Sequence, residues 1–226
     1  GSLAESVLPR WVEWCADAPE EATTAFRLVD VPDDHAMPSQ VRGRRMVVVD
    51  GAVLGDDETA ARVLAPLRAL NPEVDTIERV PASSLVRLHL DPEGPTPAYA
   101  SSTLVSALPD RAVEAILEAT GPASGTTLTV AELRQLGGAL SRPAPDGGVL
   151  ASLDGSFLAL GLGLDPAGGD WERQREDAAR FLAAVEPWAT GRAYLPMLDE
   201  GIADVPERLD VDLVGLTVIT GTAPRA

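Results

Sequence analysis

Apolar residues recur at helical spacing in three stretches of the chain. In Asp57–Leu70 they are Ala60, Val63, Leu64, Leu67 and Leu70, with acidic residues opening the segment where a helix N-terminus favours them. In Pro109–Thr120 they are Val113, Ile116 and Leu117, with Gly121 as the stop. In Asp170–Trp188 they are Trp171, Ala178, Phe181, Leu182 and Val185, and the opposite face is Glu and Arg. Leu3–Cys15 reads as a short helix or turn with Trp11 and Trp14 on one side. Strand patterns fill the intervals: Ala22–Val31, Arg45–Leu54, Val74–Val80, Val86–Leu90, Thr103–Ala107, Thr126–Leu140, Val149–Leu164 and Leu209–Thr220. Val47, Val48 and Val49 make Arg45–Leu54 the clearest of them, and Asp50-Gly51 inside it is a type I′ signal that would split it into a hairpin. The Pro- and Asp-rich stretches 31–40 and 91–98 read as loops.

Strands and helices interleave, yet several strands meet at hairpin turns rather than crossovers. That predicts an α+β fold: a mainly antiparallel sheet with the helices Asp57–Leu70, Pro109–Thr120 and Asp170–Trp188 packed on one face, so that their apolar stripes share one wall. The other face is then free to cover something. No solenoid repeat is present, and residues 3–226 are expected to form a single domain, with Gly1-Ser2 read as the scar of a cleaved tag.

Composition narrows the partners. With 45% hydrophobic residues in 226 the chain can build a real core, but at 4% aromatic that core must be aliphatic. All 18 basic residues are Arg and Asn71 is the single Asn, which reads as the codon bias of a GC-rich bacterium. A net charge of −17 repels a phosphate backbone, so nucleic acid is not an expected partner. No run of about 18 apolar residues and no signal-peptide pattern is visible, so no membrane partner is expected and the cytoplasm is the expected location. Cys15, the only cysteine, follows Trp11 and Trp14 on a helical stretch and reads as a small apolar packing residue.

Candidate chemistry is sparse. The run Ala159–Leu164, ALGLGL, lacks the third glycine of a dinucleotide loop because Pro166 stands there, so it reads as a strand packed closely on a helix. His35 and His89 have no partner at metal-ligand spacing, and no metal site is expected. On Glu132–Leu140, alternation places Glu132, Arg134, Leu136 and Gly138 on one face and Leu133, Gln135, Gly137 and Ala139 on the other. On residues alone, Glu132 and Arg134 read first as a solvated charge pair. The Gly137-Gly138 pair marks a bulge, or a place where another backbone or a flat ligand comes close.

Serial order adds to this. Glu132–Arg142, ELRQLGGALSR, is followed by an amphipathic helix and then by Gly191–Glu200, GRAYLPMLDE. Upstream, Arg-Gly-Arg at 42–44 precedes MVVVDGAVLG at 46–55 and the apolar-Pro-Leu pattern of Leu64–Leu70. Taken together these resemble the C-terminal, substrate-binding half of FAD-linked oxidases of the vanillyl-alcohol oxidase and berberine-bridge-enzyme type. The resemblance implies that the free sheet face forms the wall of a substrate pocket over the flavin, with Arg134, Gln135 and Tyr194 as candidates for substrate contact. It likewise implies that Gly137, Gly138 and Tyr194 approach the flavin. Pro196 and Met197 depart from that family's Tyr-x-Asn-Tyr/Phe segment, and Pro offers neither a side-chain hydrogen bond nor a backbone N–H.

The function so implied is the substrate-binding and flavin-capping domain of an FAD-dependent oxidoreductase acting on a small organic molecule. Its partner would be an FAD-binding domain preceding residue 1, and without it the chain alone is expected to hold no FAD and to be inactive. The catalytic residue is not identifiable from the sequence. The alternative is a stand-alone, flavin-free ligand-binding or assembly protein descended from that domain. A third reading is an unrelated cofactor-free enzyme using the same face. In isolation the uncovered face is expected to self-associate as a homodimer, with Gln135, Gly137, Tyr194 or Met197 near the contact.

Overall fold

A computed structural model of the chain describes residues 2–33, 39–89, 96–145, 151–164 and 170–192. Among these, five strands form one sheet: β1 (Ala22–Asp30), β2 (Arg45–Val53), β3 (Ala98–Val105), β4 (Val130–Gln135) and β5 (Phe157–Leu164). Their order is β2-β1-β4-β5-β3, and each neighbouring pair is antiparallel. Four helices accompany them: α1 (Leu3–Asp17), α2 (Asp57–Arg68), α3 (Asp110–Thr120) and α4 (Trp171–Val185). The α+β architecture read from the sequence is the architecture observed.

Local chemistry sets the helix ends. Ser2 and Glu5 form a reciprocal capping box on α1. Asp56 accepts from Thr59 N at 2.8 Å to open α2, and Asp170 accepts from Arg173 N at 3.0 Å to open α4. Register then assigns the sheet faces. Phe26 on β1 lies opposite Val49 on β2 and Leu133 on β4, and Leu133 lies opposite Ala159 on β5. These positions join Leu8 and Trp11 of α1, Leu64 and Leu67 of α2, Val113 and Ile116 of α3 and Phe181 of α4 in one apolar cluster. All four helices therefore bury their stripes on the same side of the sheet. The ALGLGL run lies under α4. A Cβ on Gly161 would sit 3.1 Å from that of Ala178, and one on Gly163 would sit 2.3 Å from Gln174 Oε1, so these glycines set the depth of the helix on the sheet.

Several expected elements differ. Asp50-Gly51 is no turn: β2 runs straight through it, with Asp50 opposite Ala25 and Gly51 opposite Thr24. The glycine is there for close approach, because a Cβ on Gly51 would lie 2.3 Å from the carbonyl oxygen of Thr23. Gly51→Ala is accordingly expected to cost about 2 kcal/mol, the scale of an overpacked core site, read as a lowered urea midpoint at unchanged slope. Val74–Val80 forms no strand, because its charged side chains pair with α2 rather than with a neighbouring strand. Val86 and Arg87, the start of the expected strand Val86–Leu90, belong instead to a 3-10 helix over Ala82–Arg87, and Leu90 lies outside the described residues. The expected strand Thr126–Leu140 shortens to β4; of Val149–Leu164, β5 takes the part from Phe157 on, with 149–150 outside the described residues; and Thr103–Ala107 shifts backwards to β3. Leu209–Thr220 lies outside the described residues.

Candidate functional site

The second face of the sheet carries no α-helix among the described residues, but it is not an open surface. Ala25, Leu104, Val130, Leu158 and Leu160 on it are all buried. Its central positions hold an ionic cluster that β-register assembles. Arg27 on β1 lies opposite Glu132 on β4. Ala25, two residues back, lies between Asp50 on β2 and Arg134 on β4. Ala25 is small and buried, so it forms a floor over which the longer side chains of its neighbours meet. The chain following the 3-10 helix at 82–87 delivers His89 to the same place.

The contacts are mutual. Arg27 Nη1 donates to Asp50 Oδ2 at 2.8 Å and lies 3.1 Å from His89 Nδ1. His89 Nδ1 is 3.3 Å from the same Asp50 oxygen, and His89 Nε2 is 3.4 Å from Arg134 Nη2. Each ring nitrogen thus faces an arginine donor: a proton on Nδ1 lets the ring donate to Asp50 and accept from Arg134 at Nε2, whereas a proton on Nε2 lets Nδ1 accept from Arg27. Arg134 Nε donates to Glu132 Oε1 at 2.7 Å. Arg27 Nε stands 3.7 Å from Glu132 Oε2, within ion-pair range but too long for a hydrogen bond. Two guanidiniums and two carboxylates thus balance, with an imidazole between them. Arg134 is the most accessible of the five, at 28% side-chain exposure against 5% for Glu132.

Two polar atoms of the cluster, Arg27 Nε and Asp50 Oδ1, are buried without a hydrogen-bond partner among the described residues. So is Ser102 Oγ, which register places on the same face, one strand beyond Leu160. A buried polar atom with no partner costs on the order of 1–3 kcal/mol, so three on one sheet face are a reserve of unmet hydrogen bonding that a polar ligand could satisfy.

Asp50 shows how burial and partners compete. Burial of its carboxyl works against ionisation, but hydrogen bonds from His89 and Arg27 and their charge outweigh it and hold the group below its ordinary value of 3.8. A lowered carboxyl value in the folded state gives stability that is present above the ordinary value and lost as pH falls through the folded one. Asp50→Asn is therefore expected to be less stable than the wild type at neutral pH, with the gap closing below about pH 4. Urea midpoints measured across that range check it. A gap that stayed constant would place the cost outside the ionisation of Asp50.

The sequence-derived candidates separate. Arg134 lies in the cluster. Gln135 lies on the helix-covered face: its Oε1 accepts from the backbone N and the hydroxyl of Thr24, each at 3.1 Å, while Trp11 Nε1 donates to that hydroxyl at 2.9 Å. Gly137 and Gly138 are not inside a strand but follow the end of β4, with φ of +90° and +53°. Gly137 has ψ −152°, a region nearly closed to other residues. A Cβ there would meet nothing within 4 Å, so conformation rather than close packing explains the glycine. Burial pushes the Cys15 thiol up to about 12, in keeping with a packing role. Tyr194, Pro196, Met197 and His35 lie outside the described residues. Among the described residues no group of His, Cys, Asp and Glu is arranged to hold a metal.

Arg27, Asp50 and Glu132 are the residues that sequence reasoning undervalued. Their signal was a charged residue inside an apolar strand run, FRLV, VVDG and AELR.

No family model matches the chain, and no curated protein matches it in sequence. Solved structures do match its fold. A chitooligosaccharide oxidase superposes with a TM-score of 0.69 at 18% identity, over 91% of this chain and 46% of the oxidase. A BBE-like protein of Physcomitrella patens gives 0.66 at 16% identity, over 87% of this chain and 43% of that one. A xylooligosaccharide oxidase from Myceliophthora thermophila, solved with xylobiose, gives 0.62 at 15% identity, over 83% and 42%. The chain spans less than half the length of each. It has the fold of one portion of these oxidases.

Proposed function

We propose that the chain is the substrate-binding, flavin-capping half of an FAD-dependent oxidoreductase acting on a small organic molecule, and that the face bearing Arg27, Asp50, His89, Glu132 and Arg134 is turned to flavin and substrate. The observation that carries this is the buried ionic cluster, whose Arg27 Nε and Asp50 Oδ1 have no hydrogen-bond partner among the described residues, on the sheet face that carries no α-helix among them. The fold it shares with less than half of several oxidases supports it.

The residues fit a flavin in part. Among the described residues the cationic groups of this face are engaged with carboxylates, and no glycine-rich loop opens a helix to cradle a pyrophosphate, so the cofactor's phosphates belong to another protein body. Arg134 and the turn at Gly137-Gly138 are the residues that would border the flavin ring. When bound, a flavin supplies acceptance of a hydride. The chain's own residues would do the rest. Arg134 is accessible enough to hold a polar group of the substrate, as Tyr194 would from the downstream segment. Glu132 and His89 are described groups on this face with atoms able to take the substrate's proton. The aliphatic floor of Leu158, Leu160 and Leu104 would exclude water.

The test is spectroscopic. The chain purified alone is expected to be colourless, and to acquire flavin absorbance and oxidase turnover only when assembled with an FAD-binding half. Stoichiometric FAD on the chain alone would overturn the reading, as would an assembled protein that holds no flavin.

A further inference from the structure

The stretch between α2 and His89 is exposed along its length, and its charged side chains reach sideways to ion-pair partners while its apolar ones face solvent without a cover among the described residues. Glu73 is held by Arg44 through two hydrogen bonds of 3.2 and 2.8 Å. Asp75 accepts from Arg68 Nε at 2.7 Å, and Arg68 Nη2 also donates to the carbonyl of Ile77 at 3.0 Å. Arg79 Nε donates to Asp57 at the start of α2 at 2.7 Å. Among the described residues the backbone has no strand neighbour, and these ion pairs tie it to α2 and to Arg44. Between them Val74, Ile77 and Val80 recur at every third residue and are 70%, 41% and 45% exposed. Leu85 and Val86 on the following 3-10 helix are exposed as well. Single exposed aliphatic residues are ordinary; five large ones within thirteen residues, on a segment held in place by ion pairs, are not.

We infer that this strip is a docking surface for the flavin-binding half of the enzyme, an inference that rests on the reading given above. Four observations choose that occupant over a second copy of the chain. Five partly exposed aliphatic side chains offer a few hundred Å², well under the ~800 Å² per partner of a standard stable interface, so the strip must belong to a larger contact. A charge of −17 on each copy opposes self-pairing. The strip also runs directly into His89, so a body that covers the ionic cluster from above would meet Val86 and Leu85 on the way. The fold neighbours are about twice as long as this chain and so have room for a second body of about its size. The ion pairs keep the strip extended before docking, which lowers the ordering cost of forming the contact.

The experiment compares the wild type with Val74→Ser/Ile77→Ser/Val86→Ser, each as the isolated chain and as the assembled flavoprotein. The three side chains face solvent, so the melting midpoint of the isolated variant is expected to match the wild type, and the assembled variant is expected to lose flavin at least tenfold faster on gel filtration. Equal flavin retention by variant and wild type would overturn the docking surface and leave the flavin-capping reading intact. A wild-type assembly without flavin would overturn that reading and the docking surface with it. An isolated wild-type chain that sediments as a dimer, and a variant that sediments as a monomer, would assign the strip to a second copy and overturn the choice of partner.

Discussion

Trp11→Ala is expected to destabilise the fold by about 4 kcal/mol, the scale of deleting a fully buried tryptophan. Trp11 is 0% exposed. Its ring lies 5.9 Å from that of Phe26 on β1 and 5.7 Å from that of Phe157 on β5, in tilted rather than stacked contact. One side chain of α1 thus bridges strands on both sides of β4. Its indole N–H also donates to Thr24 Oγ1, whose proton goes on to Gln135 Oε1. Alanine would leave a cavity between two phenyl rings and take away the donor that orders the Thr24 hydroxyl. Small domains have total stabilities of about 5–15 kcal/mol, so the variant should be near its unfolding threshold. Urea denaturation followed by circular dichroism checks this. A loss below about 1 kcal/mol would mean that α1 contributes little to the core. Trp11→Phe is expected to recover part of the loss, by refilling the space without the hydrogen bond.

Glu132→Ala is expected to cost about 3 kcal/mol, the lower end of what breaking one partner of a buried ion pair removes. Glu132 is 5% exposed and is the counter-charge shared by Arg27, at 11%, and Arg134, at 28%. Alanine leaves two guanidiniums on one sheet face with Asp50 as the nearest remaining carboxylate, and Arg27 is too buried for water to compensate. Arg134 can turn towards solvent, which places the figure at the lower end. Glu132→Gln keeps an acceptor for Arg134 and should lose less. Glu132→Leu combined with Arg27→Met removes both charges and is expected to be more stable than Glu132→Ala, because isosteric apolar replacement of a buried pair is often neutral. If the double variant were no better than the single one, the cost would lie in packing and not in the orphaned charge. Thermal or urea midpoints of the three variants decide between these.

Helix positions were legible because their apolar spacing is local. α2, α3 and α4 appear within a few residues of the expected spans, with Asp56, Asp170 and Gly121 at their ends. The strand errors share one cause. Asp50-Gly51 carries the chemistry of a turn, yet Gly51 is required where β1 and β2 approach too closely for a Cβ, a property of a backbone pairing that the local sequence does not contain. Val74–Val80 has strand-forming residues but no strand beside it, and ion pairs to Arg68 and Asp57 decide its path instead. The site was legible in part for the same reason. Arg134 could be placed on a face of its strand. Arg27, Asp50 and His89 come from separate segments, and only the register of β1 against β2 and β4 brings them to Glu132 and Arg134. Alternation correctly separated Gln135 from Arg134. Which of the two faces the helices cover depended on where Trp11 and Phe181 pack.

The central claim is that the face of the sheet opposite the helices meets the flavin. The most direct measurement is the flavin absorbance spectrum and the single-turnover rate of flavin reduction in the assembled protein carrying Arg134→Ala, beside Arg10→Ala on the exposed side of α1 as the control. Arg134→Ala is expected to shift the flavin spectrum and to slow reduction by about tenfold or more, the scale of losing one charge-assisted contact, while Arg10→Ala leaves both unchanged. Identical spectra and rates for Arg134→Ala and the wild type would contradict the claim, because the cluster would then lie away from the cofactor.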